Sequence, residues 1–454
     1  MKIHDPSTGT AFDELSEDTS ENITRKAASA RAAQPRWAAR SAGERIDLIR
    51  RFRDLLIERK EELARILSHE VGKPITQARN ELSAVPARID FFCDNLQRAC
   101  ADETVLREEG LEERICFEPL GVVANISAWN YPWFVGVNVF VPALLTGNTV
   151  LYKPSEFAAL VGLSIAGLMR DAGVPEDVFI PVIGGGAAGA ALIDAGVDAV
   201  CFTGSYATGV RIAQAASKHL LKVQLELGGK DPAYITDDVD IDKAVGSVAD
   251  GAFYNTGQSC CSIERIYVHE KIYDAFVERF VKEVKGYKVG DPHEDATYIG
   301  PLTRAAQLDV LTQQIADAKA KGGRVLLGGK RMDRPGNYFE PTVVVDTNNG
   351  MELMREESFG PVIGIARVKD DAEALRLMND TAYGLTAGVY CREQDRASHI
   401  LSAVRAGSAY WNCCDRVSPR LPWSGRGHSG LGTTLSVLGI RAFVQPKAWH
   451  LRKA

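Results

Sequence analysis

The sequence predicts an α/β protein whose mostly parallel sheets are covered by helices on both faces. From Cys116 onward, short apolar runs (GVVANISAW, NTVLYKP, DVFIPVIGG, DAVCFTG and KVQLELGG) are each separated by about a helix of sequence. That is the rhythm of βαβ units. A second series begins after Gly229, where RIYVHE, RVLLGG, EPTVVVD, PVIGIARV, LTAGVYC and SAYWNC alternate with helical stretches at 272–285, 305–321 and 371–380. The chain of 454 residues is long enough for two or three domains at about 150 residues each.

The first hundred residues read as helices. Residues 44–69 place Ile46, Ile49, Phe52, Leu56, Leu63 and Ile66 at three-, four- and seven-residue spacing among Arg and Glu. Gly72 and Pro74 stop that pattern, and a second amphipathic helix is expected over 76–100. Segments 103–117 and 442–449 have no helix after them. They read either as extended arms that pair with another subunit or domain, or as a hairpin lying on their own domain.

Composition narrows the function. At 45% hydrophobic and 25% charged residues, the chain has the make-up of an ordinary globular protein. A net charge of −6 argues against a nucleic-acid or anionic-membrane surface. The N-terminus MKIHDPSTGTAFDELSEDTSEN has neither a signal-peptide nor a transit-peptide pattern, and the longest apolar stretch, 134–145, is too short to span a bilayer. Nine cysteines without a secretion signal suit free thiols in a reducing compartment, so the expected location is cytoplasmic. Eight scattered histidines and no CxxC or HExxH give no support for a metal site.

Four segments carry chemistry. Asn255-Thr-Gly-Gln-Ser-Cys260-Cys261 follows a predicted helix over 241–253 and precedes a predicted strand over 265–270. A cysteine shown on a Gly-containing polar loop suits a thiolate nucleophile, and a buried structural thiol is the competing reading. In Leu225-Glu226-Leu227-Gly228-Gly229-Lys230, Glu226 interrupts an apolar strand. Burial there raises a carboxyl toward the range of a general base; an exposed strand-end glutamate is the alternative. Ile126-Ser127-Ala128-Trp129-Asn130-Tyr131-Pro132 ends a parallel strand, where open α/β sheets bind ligands. Asn130 is placed to donate its amide to an oxyanion or to close an Asx-turn.

The fourth segment, residues 184–189, is a literal G-x-G-x-x-G after a strand over 178–183. A true dinucleotide fingerprint needs an acid at the end of the next strand, which here ends Phe202-Thr203-Gly204-Ser205. Gly204–Gly209 (GSYATG) is the better phosphate site, since its glycines and hydroxyls open a helix. The nearest ribose candidates are upstream, at Lys153 and Glu156.

Taken together, these segments resemble the NAD(P)-dependent aldehyde dehydrogenases over nearly the whole chain. WNYP, KPSE, FTGS, LELGG and NTGQSC stand in that family's order, followed by EESFGPV, NDTAYGLTAGV and PWSGRGHSGLG. Cys260 lies 34 residues after Glu226, which is also the family's spacing. The resemblance implies a Rossmann-like cofactor domain over 1–102 and 119–228, an α/β catalytic domain over 229–430, and a β oligomerisation arm at 103–118 and 442–454. It makes Cys260, rather than Cys261, the nucleophile. Glu226 becomes the general base, and Asn130 with the Cys260 amide the oxyanion hole.

For the cofactor the resemblance implies a cradle of Ile126, Ser127, Trp129, Gly204, Ser205, Gly209 and Leu227. Lys153, Ser155 and Glu156 fall at the adenosine ribose, and Glu357 and Phe359 at the nicotinamide ribose and ring. The implied reaction oxidises an aldehyde to a carboxylate with NAD and water, in a homodimer or homotetramer. NAD is expected over NADP, because Glu156 repels a 2′-phosphate that Lys153 and Ser155 alone would accept. A CoA-acylating relative is the alternative, though it needs no base for water; a non-catalytic NAD-binding protein needs none of the three catalytic residues.

Two positions depart from the family pattern. Its proton-relay Lys nine residues past Asn130 is Val139 here, and its usual Pro before Trp129 is Ala128. The substrate loop is expected at 412–422, with Arg416, Val417 and Arg420, and with Tyr131, Asn138 and Trp423 near the funnel. The two arginines either select an acidic aldehyde or face solvent or a neighbouring subunit.

Overall fold

Two large sheets, each buried on both faces, and one small antiparallel sheet organise residues 1–453, which the computed structural model describes. In the first sheet the strands lie in the order Gly430–Leu431, Lys222–Glu226, Ala199–Thr203, Val122–Ile126, Thr149–Lys153 and Phe179–Pro181. All its pairings are parallel except the outermost, Gly430–Leu431 on Lys222–Glu226. Alternate side chains go to opposite cores. Val123, Val150 and Tyr152 pack among the helices Ala42–Glu58, Ile75–Cys100 and Pro132–Leu145. Val122, Ala124 and Leu151 meet the helices Ser20–Ala38 and Gly186–Asp194. Burial on both faces is why these strands read as continuous apolar runs.

The chain winds from Val122–Ile126 outward in one direction, then returns to place Ala199–Thr203 on the other side of it. This reversal is a topological switch point, where the two carboxyl ends splay and leave a crevice. Ser127 on one side and Gly204 and Ser205 on the other stand at that crevice.

The second sheet has the order Arg324–Leu327, Thr342–Val345, Val362–Val368, Ile263–His269, Asp231–Ile235, Thr386–Tyr390 and Ser408–Trp411. One interior strand, Asp231–Ile235, is absent from the runs picked out of the sequence. With Asp and Pro at its start, DPAYI resembles a turn, yet its five residues are buried and pair in parallel on both sides.

The third sheet pairs Val444–Arg452 with Leu111–Pro119 and that strand with Glu103–Glu108, all antiparallel. Segments 103–117 and 442–449 therefore meet each other within the chain. The first hundred residues also differ from the helical expectation. A two-stranded hairpin, Lys2–His4 with Ala11–Glu14, precedes the helices. The helix expected over 44–69 is two, Ala42–Glu58 and Lys60–Val71, because Arg59 leaves helical geometry at φ −96°, ψ 15°. No helix among the described residues is long and apolar enough to cross a membrane.

Candidate active site

The Cys260 loop begins where the helix Ile241–Phe253 ends, at the bounds the sequence predicts. Asn255, Thr256 and Gly257 then take three consecutive left-handed conformations, with φ of 53°, 59° and 71°. Such backbone costs a non-glycine residue roughly 1–2 kcal/mol, so it persists only where its surroundings hold it. They do. The Asn255 N–H donates to Gln77 Oε1 at 2.8 Å, the Gly300 N–H to Thr256 Oγ1 at 3.0 Å, and the Thr303 N–H to Gln258 Oε1 at 3.0 Å. Cys260 emerges half-buried from this braced turn, while Cys261 points inward and is buried.

The neighbouring thiols differ in surroundings. The Cys261 Sγ donates to Asp415 Oδ1 at 2.9 Å. Its contact with the Cys260 thiol, burial and the Asp415 carboxylate hold Cys261 well above the ordinary thiol range. A thiol kept protonated is a poor nucleophile. Burial in turn pushes Asp415 up to about 6.

Asn130 is buried and reaches this loop directly: its Nδ2 donates to the Gln258 carbonyl at 3.1 Å, and Asn255 Nδ2 donates to the carbonyls of Asn130 and Gln258. Asn130 therefore sits beside the nucleophile's backbone with its amide turned to the loop. Glu226 ends its strand 9% exposed, with Oε1 accepting from Thr434 Oγ1 at 2.9 Å and Oε2 buried without a partner. Burial pushes its carboxyl up to about 8. No hydrogen bond joins Glu226 to Cys260 among the described residues. Gly229 is required by close approach, since a Cβ there would lie 2.6 Å from the Cys260 carbonyl, and a Cβ on Gly228 would displace the Glu357 carboxylate.

The cofactor candidates come together from both sheets. Trp129 and Phe359 meet edge to face with ring centroids 5.5 Å apart. Phe359 is held at φ 47° because Glu264 accepts from the Ser358 and Phe359 N–H groups, while Lys230 pairs with Glu264. Glu357 accepts from the Gly229 N–H at 3.0 Å, and burial pushes its carboxyl up to about 8.

At the other end Lys153 is buried, with its Nζ 4.0 Å from Glu156 Oε2, and Ser155 Oγ lies 3.4 Å from the same oxygen. Ser205 caps the helix Tyr206–Ser217, and Gly209 packs so closely on Leu227 that a Cβ would lie 2.7 Å from its side chain. Ile126 packs beside Gly189, and Ser127 Oγ is buried without a partner at the crevice. In the G-x-G-x-x-G segment, the Gly185 N–H donates to Glu17 Oε2 at 3.2 Å, so the chain's own carboxylate stands at that helix end.

Several contributors escape sequence reasoning. Thr434 holds Glu226, Glu264 positions the Phe359 turn, and Asp415 engages Cys261. On the helix Ile75–Cys100, the buried Glu81 pairs with Lys73 and accepts from the Trp133 and Phe134 N–H groups. Arg88 is also buried, and it binds Asn138 and the substrate-loop carbonyl of Val417. A readable signal existed for these last two: Glu81 and Arg88 are seven apart, on the stripe of Ala78, Leu82, Val85 and Ile89 that faces the core. Arg416 and Arg420 are exposed, and Trp423 is buried beside Glu226. Among the described residues no group of His, Cys, Asp and Glu is placed to hold a metal ion.

Comparison with known proteins identifies the family and the fold. The aldehyde dehydrogenase family profile matches residues 1–449. The chain is 34% identical over 459 residues to the chloroplastic betaine aldehyde dehydrogenase of Amaranthus hypochondriacus, covering 98% of this chain and 92% of that protein. It is 36% identical over 449 residues to the betaine aldehyde dehydrogenase of Cereibacter sphaeroides, again over 98% and 92%. The solved structure of PnpE in complex with nicotinamide adenine dinucleotide superposes with a TM-score of 0.97 at 34% identity, over 100% of this chain and 94% of that one.

Proposed function

The chain belongs to the aldehyde dehydrogenase family, and from that premise we propose that it oxidises an aldehyde to its carboxylate with NAD and water through a covalent Cys260 adduct. The observation that carries this is the braced Cys260 loop, with Asn130 at its backbone and a partly unsatisfied, buried Glu226 carboxyl three residues before Gly229, which packs on the Cys260 carbonyl. The residues present suit the cofactor. An orphaned Ser127 hydroxyl lies at the switch-point crevice, a buried Lys153 stands beside Glu156, and Trp129 and Phe359 meet from opposite sheets. Residues 1–102 and 119–228 would hold NAD, 229–430 would carry the nucleophile, and 103–118 with 442–454 would join subunits.

In this reading the Cys260 thiolate adds to the carbonyl carbon, and the new oxyanion is met by the Asn130 amide and the Cys260 N–H. NAD would be held by Ser127, Lys153, Glu156, Ser205, Glu357 and Phe359 and would supply the hydride acceptor that lets the thiohemiacetal on Cys260 become a thioester. Glu226 removes a proton from water, the water oxygen adds to the thioester carbon, and the Cys260 thiolate leaves as the carboxylate forms. The missing relay lysine (Val139) is consistent with a base held by a hydroxyl, Thr434.

The test measures NADH formation from a panel of aldehydes with and without CoA. Oxidation without CoA, lost in Cys260→Ala, supports the reading. Turnover that requires CoA points to the acylating class, and NAD binding without turnover refutes catalysis.

A further inference from the structure

Resting on the reading of Cys260 as nucleophile, we infer that Arg88 is a specificity residue that receives a carboxylate at the far end of the substrate. The substrate class is thus an aldehyde carrying an acid group, the semialdehyde of a dicarboxylic acid. Arg88 is 5% exposed and forms no ion pair among the described residues. Its Nη1 donates to Asn138 Oδ1 at 2.9 Å and its Nη2 to the Val417 carbonyl at 3.3 Å, and its guanidinium carbon lies 4.0 Å from the centre of the Phe134 ring. A guanidinium carries five N–H donors, so these contacts leave most of the fork unused.

The carboxylates nearby are already engaged. Glu81 is committed to Lys73 and to two backbone N–H groups, and Asp415 to the Cys261 thiol. Burial lowers the Arg88 pKa to about 10, which leaves it cationic at neutral pH. Glu81 and Asp415 favour that charge from a distance, but neither pairs with the guanidinium directly, and a buried cation without a paired anion is costly unless a ligand supplies one.

Its position fits that use. Phe134 stacks on Tyr131, directly after Asn130 in the chain, and Val417 belongs to the loop whose Asp415 reaches the cysteine pair. Arg88 therefore ties together the two segments that flank the nucleophile. Planar bidentate pairing makes arginine the natural partner of a carboxylate, and the same charge repels a quaternary ammonium. This chain thereby departs from its relatives named for betaine aldehyde.

The experiment uses three aldehydes of equal length ending in a carboxylate, an amide or a trimethylammonium group, with wild type, Arg88→Gln and Arg88→Lys. Wild type should favour the carboxylate, and Arg88→Gln should cost it at least about tenfold more kcat/KM than it costs the amide, mainly through KM. Arg88→Lys should recover part of that preference. A dicarboxylate should compete with the amide aldehyde in wild type and lose at least about tenfold in potency against Arg88→Gln. Equal losses on all three substrates, or a wild-type preference for the ammonium aldehyde, would overturn the inference and leave Arg88 as a tether for the loop. Cys260→Ala on the amide substrate decides the nucleophile separately, so failure of charge selection leaves that reading standing.

Discussion

Replacing Glu226 with Gln preserves shape and removes a base, and its effects on stability and on turnover have opposite signs. The carboxyl is 9% exposed, with one oxygen on Thr434 and the other without a partner. Burial raises its pKa from 4.5 to about 8. At about 1.4 kcal/mol per pKa unit, ionising it in the folded state costs on the order of 5 kcal/mol more than in the unfolded chain. Below the unfolded value both states are protonated, and the neutral carboxyl carries no penalty. As pH rises toward 8 the unfolded chain ionises while the fold holds its proton, so stability is lost, and the loss is complete above 8.

Gln avoids that penalty and can satisfy the Thr434 hydroxyl. Glu226→Gln should therefore match wild type in denaturant melts near pH 4.5 and exceed it by up to that amount at pH 9. Steady-state turnover should fall by roughly 10²–10⁴-fold, the usual worth of a positioned base. If Glu226 serves only the water step, a single equivalent of NADH should still appear in a rapid burst. The wild-type rate should climb with pH through about 8, and the variant should lose that limb. Turnover within a few-fold of wild type, or a melting difference independent of pH, would refute the assignment.

Thr434→Val should move the rising limb of the pH–rate profile to higher pH, since the hydroxyl it removes favours the ionised Glu226; an unmoved limb would show that Thr434 does not act on the base. Cys260→Ala should abolish turnover and keep NAD binding in calorimetry, whereas Cys261→Ala should cost far less; the reverse ranking would place the nucleophile one residue on. Glu156→Gln should raise the NADP-to-NAD ratio of kcat/KM by about tenfold, because a half-exposed carboxylate near Lys153 is removed. Trp449 and Leu451 lie exposed on an unpaired sheet edge, so wild type should sediment as a dimer or tetramer at micromolar concentration, and Trp449→Lys with Leu451→Lys should shift it toward monomer.

What the sequence reveals follows from how local each feature is. The cysteine loop is legible because Asn, Gly, Gln and Ser around a thiol are unusual company for a buried cysteine. Glu226 is legible because an acid interrupts an apolar run. Strand Asp231–Ile235 is not, since its identity depends on neighbours at Ile263–His269 and Thr386–Tyr390 rather than on its own five residues. The break at Arg59 has no Gly or Pro to mark it. Thr434, Asp415 and Glu264 act through partners 208, 154 and 95 positions distant, a separation no periodicity encodes.

The edge strand Gly430–Leu431 gives the chain an order of completion. Lys222–Glu226 is an open sheet edge until residues 430–431 reach it, Leu227 lacks its acceptor until Ser429 arrives, and Glu226 lacks its hydroxyl until Thr434 does. A nascent polypeptide therefore holds Cys260 and Asn130 long before it holds a finished base, and the site closes only once the chain through Thr434 has left the ribosome. A product truncated short of that point leaves the Lys222–Glu226 edge open and is material for proteolysis rather than a slow enzyme.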